Sequence, residues 1–77
     1  MTQCEMILDH LKTFGSITPL EALHEYGCFR LAARIADLRD RGYRKNIVAV
    51  KNMHINRFNQ KVYYAKYFWL PEGGENE

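Results

Sequence analysis

The residues of this chain best suited to chemistry are arginines, and they cluster. Arg30, Arg34, Arg39, Arg41 and Arg44, with Lys45, fall in or just after the stretch GCFRLAARIADLRDRGYR. A guanidinium carries a planar fork of donors that matches phosphate oxygens or the O6/N7 edge of guanine. The chemistry such a set can do is non-covalent recognition of an anion. A second basic stretch, KNMHINRFNQK at 51–61, adds Lys51, His54, Arg57 and Lys61. Bond-making chemistry has no comparable support, because no paired carboxylates and no nucleophile with its base stand at workable spacing. His10, His24 and His54 belong to different expected elements, and Cys4 and Cys28 form no C-x-x-C pair, so neither metal nor other cofactor is expected. Both cysteines read as small, reduced, buried apolar groups.

The net charge of +2 conceals a division along the chain. Residues 1–29 set Lys12 against Glu5, Asp9, Glu21 and Glu25, whereas residues 30–66 hold ten cationic side chains against Asp37 and Asp40 alone. Glu72, Glu75 and Glu77 then make the end acidic. A domain with one basic side presents an oriented field, the footprint of a body that docks on a polyanion. Seventy-seven residues, 47% of them apolar, make one small folded domain with little room for a deep cleft. No apolar run is long enough to span a bilayer and the first residues lack the apolar core of a signal peptide, which points to the cytoplasm.

Three helices must position the arginines. Thr2 and Glu5 form a capping box, after which Cys4, Ile7, Leu8, Leu11 and Phe14 recur on one face up to Gly15. Ser16-Ile17 reads as an extended link. Thr18 caps the second helix with Pro19 at its first position and Glu21 at its third, and Leu20 and Leu23, with Ala22 or Tyr26, are its expected core residues. Only Cys28 and Phe29 separate Gly27 from the third helix, expected over 30–41, so the two helices cross steeply as in a helix-turn-helix. Along that third helix Leu31, Ile35 and Leu38 form the apolar stripe. Ala33, Ala36, Asp37 and Asp40 then point outward, Arg30, Arg34 and Arg41 line one flank and Arg39 the other. Asp37 is within side-chain reach of both Arg34 and Arg41, and one carboxylate cannot neutralise two guanidiniums.

Residues 43–50 and 62–70 read as two strands joined by 51–61 as a protruding basic loop, with Tyr63, Ala65, Tyr67 and Trp69 facing inward. The fold class expected is α+β, a winged helix-turn-helix over residues 1–70, with three helices, a two-stranded antiparallel hairpin as the wing, and a disordered acidic tail at 71–77.

The segments ITPLEALHEYG, RLAARIADLRDRGY and VYYAKY resemble those of small phage and prophage winged helix-turn-helix proteins. The shared pattern runs from an SIT-like helix start through R-L-A/S-A-R-I-x-D-L-R to a glycine-tyrosine pair and a tyrosine-rich last strand, and spans about residues 3–70. The resemblance implies a DNA-binding role in a mobile element, as a transcriptional regulator or recombination accessory factor, inside a bacterial host cell. Helix 30–41 would enter the major groove by its first turn and a half, with Arg30 and Arg34 near the start of the recognition helix, and the wing would grip the backbone. Arg30, Arg34, Arg41, Arg44, Lys45, Lys51, His54, Arg57 and Lys61 are the residues expected on double-stranded DNA. Two further partners are carried as expectations: a second copy of the chain, through outward Tyr64 and Phe68, and a host protein bound by an interaction module on the same scaffold.

Overall fold

The computed structural model describes residues 1–71. Three helices, α1 (Gln3–Phe14), α2 (Pro19–Tyr26) and α3 (Leu31–Leu38), pack on one face of a small antiparallel sheet of β1 (Ser16–Ile17), β2 (Ile47–Ile55) and β3 (Lys61–Trp69). Of the acidic tail expected at 71–77, residues 72–77 lie outside the described residues. Each of the first two helices starts where its capping box closes: the Thr2 hydroxyl accepts from the Glu5 N–H at 3.2 Å and the Glu5 carboxylate accepts from the Thr2 N–H at 2.8 Å, and Thr18 and Glu21 repeat the arrangement. Because the Thr2 backbone N–H bonds the ionised form, the Glu5 carboxyl lies below its usual pKa, and the Arg41 charge adds to the effect.

The wing is not a two-stranded hairpin. Ser16-Ile17, expected as a link, pairs with Phe68 and Tyr67, so the sheet has three strands in the order β1-β3-β2. Ile17 satisfies its backbone against β3 while its side chain, fully buried, enters the core beside Tyr67. The Trp69 N–H donates to the Gly15 carbonyl at 2.9 Å and the Leu70 N–H to the Asn46 carbonyl at 2.7 Å, tying the C-terminal end of β3 to the end of α1 and to the start of β2.

The core joins Cys4, Ile7 and Leu11 of α1 to Leu31, Ile35 and Leu38 of α3, with Ile47 and Tyr67 from the sheet. Both cysteines are buried and free, as expected. His10 is buried too, its Nδ1 2.8 Å from the Tyr26 hydroxyl, a core histidine with a satisfied ring nitrogen. Other expectations are corrected. Phe14 lies at the exposed end of α1, and α2 buries Ala22 completely while Leu20 is 64% exposed and Leu23 sits at the surface. A short helix crossing this tightly brings its backbone close to the core, and only a methyl fits at the contact. Tyr63 is on the inward face as expected but lies beyond the end of the core and is exposed.

Replacing Ala22 with leucine should therefore cost about 1–3 kcal/mol through overpacking, whereas Leu20→Ala should stay within about 0.5 kcal/mol of wild type in urea unfolding. The capping-box carboxylate contributes only when ionised. Its depressed folded pKa means that its contribution is present above the unfolded value and disappears as pH falls through the folded one. Glu5→Gln should remove that part of the acid-side stability profile, read as thermal midpoint against pH.

Candidate nucleic-acid interface

Gly27 adopts φ 64° and turns the chain between α2 and α3, where a side chain would be strained. Its N–H bonds the Leu23 carbonyl at 2.9 Å, and the next N–H, of Cys28, bonds that of Ala22 at 3.1 Å. Cys28 points into the core, which leaves Phe29 and Arg30 exposed at the mouth of the turn. Arg30 is the N-cap of α3 and supplies no side-chain cap, so its guanidinium has no partner among the described residues.

The α-helix expected over 30–41 stops at Leu38, and Arg39–Tyr43 form a wider π-type turn kinked at Gly42, whose φ is 111°. Tyr43, expected to open a strand, belongs to this turn; β2 starts at Ile47. With Leu31, Ile35 and Leu38 inward, the outer face is Ala32, Ala36 and Asp40, all exposed, while Ala33 and Asp37 are half-buried. The outer face is thus rotated by about one residue from the expected Ala33, Ala36, Asp37 and Asp40. Two methyls occupy its first part and the exposed Asp40 carboxylate its end.

The arginines divide by flank. Arg34 turns toward α1: its Nη2 is 3.2 Å from Asp37 Oδ2, its side chain is 33% exposed, and the Cys4 thiol donates to its carbonyl at 4.0 Å. It is held as part of the helix pair. Arg41 lies on the same flank, within electrostatic reach of Glu5. Arg39, on the opposite flank as expected, donates from Nη2 to the Ile47 carbonyl at 3.2 Å and ties the end of the helix to β2. That contact was not legible in the spacing, because its acceptor is a backbone oxygen. Arg44 pairs with Asp40 at 3.2 Å on the surface, and with Arg39, Lys45 and Asn46 it lines an open basin of about 620 Å³. An exposed pair of this kind contributes little to stability and is readily exchanged for another anion.

The loop expected over 51–61 is mostly strand. β2 runs to Ile55 and β3 starts at Lys61, leaving 56–60 as the turn. Strand alternation then sorts the basic residues: Lys51, opposite Ala65, and Lys61, opposite Ile55, share the face that carries the core residues Ile47 and Tyr67, the side of the sheet turned toward the helices. Lys51 Nζ sits 5.0 Å from the centre of the Tyr63 ring. His54, opposite Val62, is on the other face, over a hollow of about 360 Å³ with Thr18, Leu20 and Tyr64. Arg57 is exposed at the tip. Between α3 and the wing runs a shallow cleft of about 470 Å³ lined by Phe29, Arg30, Ala33, Tyr63 and Ala65 among others.

One side of the molecule therefore presents the alanine face of α3, Arg30 at its start, and the Lys51-Lys61 face of the wing, with Arg57 at the tip. Arg34 and His54 lie away from that surface. Among the described residues no group of His, Cys, Asp and Glu is placed to hold a metal ion, and no helix is long and apolar enough to cross a membrane.

The family model for a winged helix-turn-helix domain matches residues 2–68, and the chain belongs to that family. No curated protein and no solved structure matches the chain. Membership of this family points to DNA as the partner.

Arg39→Ala should lower stability by about 1–2 kcal/mol by leaving the Ile47 carbonyl without its charged donor, whereas Arg30→Ala should leave the thermal midpoint unchanged.

Proposed function

We propose that the chain is a duplex-DNA-binding module with modest sequence preference, acting as a regulator or recombination accessory factor of a phage or other mobile element in the cytoplasm of a bacterial host. The observation that carries the reading is the small-residue outer face of α3 bracketed by cations. Arg30 precedes it and Arg41, Arg44 and Lys45 follow it beyond Leu38; the eight residues of α3 rise roughly 12 Å at 1.5 Å per residue, comparable with a major groove about 12 Å wide between its phosphate walls. Ala32 and Ala36 fit between those walls, with Arg30 free to reach a phosphate or a guanine edge. Lys51 and Lys61 add phosphate contacts from the wing.

The same face limits the reading of sequence. Alanine methyls offer apolar contact to thymine methyls and no hydrogen bond, so most of the affinity comes from the backbone. The regulatory or recombination role rests on the resemblance of the R-L-A-A-R-I-x-D-L-R segment to phage and prophage proteins.

A second reading, a protein partner or second copy of the chain, has one observation in its favour. Leu20, Val62 and Tyr64 are exposed on the side of the sheet turned away from α3, with His54 beside them. That side is separate from the cationic one, so a dimer formed through it leaves the DNA-facing side open.

Fluorescence anisotropy with a labelled mixed-sequence duplex at several salt concentrations tests the first reading. With about five phosphates neutralised, the logarithm of affinity should fall with that of salt at a slope of roughly −4 to −5, and Lys51→Ala or Lys61→Ala should each reduce the slope by about one. Arg34→Ala should change the slope less than Arg30→Ala. No binding at low salt would overturn the reading in favour of the protein partner.

A further inference from the structure

We propose that the tip of the wing is a wedge for duplex DNA: Phe58, backed by Arg57, enters the minor groove, parts a base step and bends the helix. The proposal rests on the DNA reading above and goes beyond it by assigning a deformation to one side chain.

The turn that carries Phe58 is unusually well determined for five residues at the end of a hairpin. The Asn56 N–H donates to the Gln60 carbonyl at 2.9 Å and the Asn59 N–H to the Asn56 carbonyl at 2.9 Å. The Asn56 side-chain oxygen accepts from the N–H groups of Phe58 at 2.9 Å and Gln60 at 3.1 Å, and its amide donates to Gln60 Oε1 at 3.2 Å. Asn59 takes φ 62°, the left-handed region that asparagine tolerates better than most residues. The apex backbone is held before any partner arrives.

What this turn presents is a phenyl ring 73% exposed, with the Arg57 guanidinium carbon 5.4 Å from its centre. No core residue covers it. An apolar ring on a preorganised apex loses little conformational freedom when it docks, and phenylalanine is among the side chains that unstack a base step from the minor-groove side.

The charge around it selects the partner. From Lys45 to Pro71 the chain contains no aspartate or glutamate, and Lys51, Arg57, Lys61 and Lys66 are its charged residues after Lys45. A surface of one sign around an aromatic apex is complementary to a polyanion, and a protein face of mixed charge would not require it. Minor-groove edges offer mainly acceptors, and Arg57 with the exposed Asn59 amide supplies donors. Insertion is easiest at pyrimidine–purine steps such as TA.

The test uses the full chain and a duplex of about 24 base pairs, A·T-rich with a central TA step and dyes at both ends, so that bending raises energy transfer. Wild type should raise the transfer on binding. Phe58→Ala should keep the wild-type melting temperature and salt slope, lose the rise in transfer and bind roughly tenfold more weakly, and Phe58→Leu should restore most of the bend because leucine is also an apolar wedge. Arg57→Ala should lower the salt slope by about one. A Phe58→Ala protein that bends the duplex as wild type does, or a wild type that binds without bending it, would overturn the wedge and leave the DNA reading intact. Absence of binding to any duplex would remove both. If sedimentation shows that Phe58→Ala dissociates a wild-type dimer while bending is unchanged, the ring belongs to contact between copies and the wedge is refuted.

Discussion

The burial of Leu31, Ile35 and Leu38 is the constraint from which the rest of the surface follows. These three side chains are the only substantial apolar stripe on α3, and each is within a few percent of full burial against α1 and the sheet. Removing a side chain of that size from water is worth about 1.5–3 kcal/mol, so rotating the helix to expose one of them would cost more than any surface ion pair returns. Once the stripe is set, a 100° step per residue leaves Ala32 and Ala36 outward, turns Arg34 toward α1 and turns Arg39 toward β2. The surface offered to a partner is thus a consequence of the core.

A second consequence concerns the wing. Ile47 and Tyr67 are buried under the helical layer, and because strand side chains alternate, every second residue outward along β2 and β3 must share their side of the sheet. Lys51, Lys61 and Tyr63 inherit that side, whereas His54, Val62 and Tyr64 inherit the other. The hairpin reaches well past the core, and its outer half carries no buried apolar residue. Its stability there rests on ladder hydrogen bonds, on cross-strand pairs such as Lys51 over Tyr63, and on the Asn56 side chain that closes the turn. A projecting, cationic element joined to a packed helical body can reach a backbone that the body cannot touch.

The division between anchored and available cations is what charge counting alone misses. Arg34, Arg39 and Arg44 each have a partner within the fold, at a carboxylate or a backbone carbonyl, whereas Arg30 has none among the described residues. The guanidiniums in and around α3 thus serve two purposes: some fasten the helix to its neighbours, and others complete an electrostatic surface. Had all of them been turned outward, Asp37 would have remained beside the core without a cation.

Much of the architecture was legible because it rests on local chemistry. The capping boxes at Thr2 and Thr18, the turn at Gly27, the apolar stripe of α3 and the burial of both cysteines all depend on residues a turn or so apart, or on size and polarity alone. The basic character of the second half was equally open to reading. Tertiary structure alone decided the third strand, since Ser16-Ile17 has too few residues to declare itself and becomes a strand only when Tyr67 and Phe68 offer it a ladder. It also chose Ala22 over Leu20 for the core, widened the helix end into a π-type turn, extended the strands to Ile55 and Lys61, and put His54 behind the sheet. Composition and spacing determine which groups can be buried, capped or charged; which of them meet is set by contacts between elements distant in the chain, because the free energy of such packing exceeds any local preference.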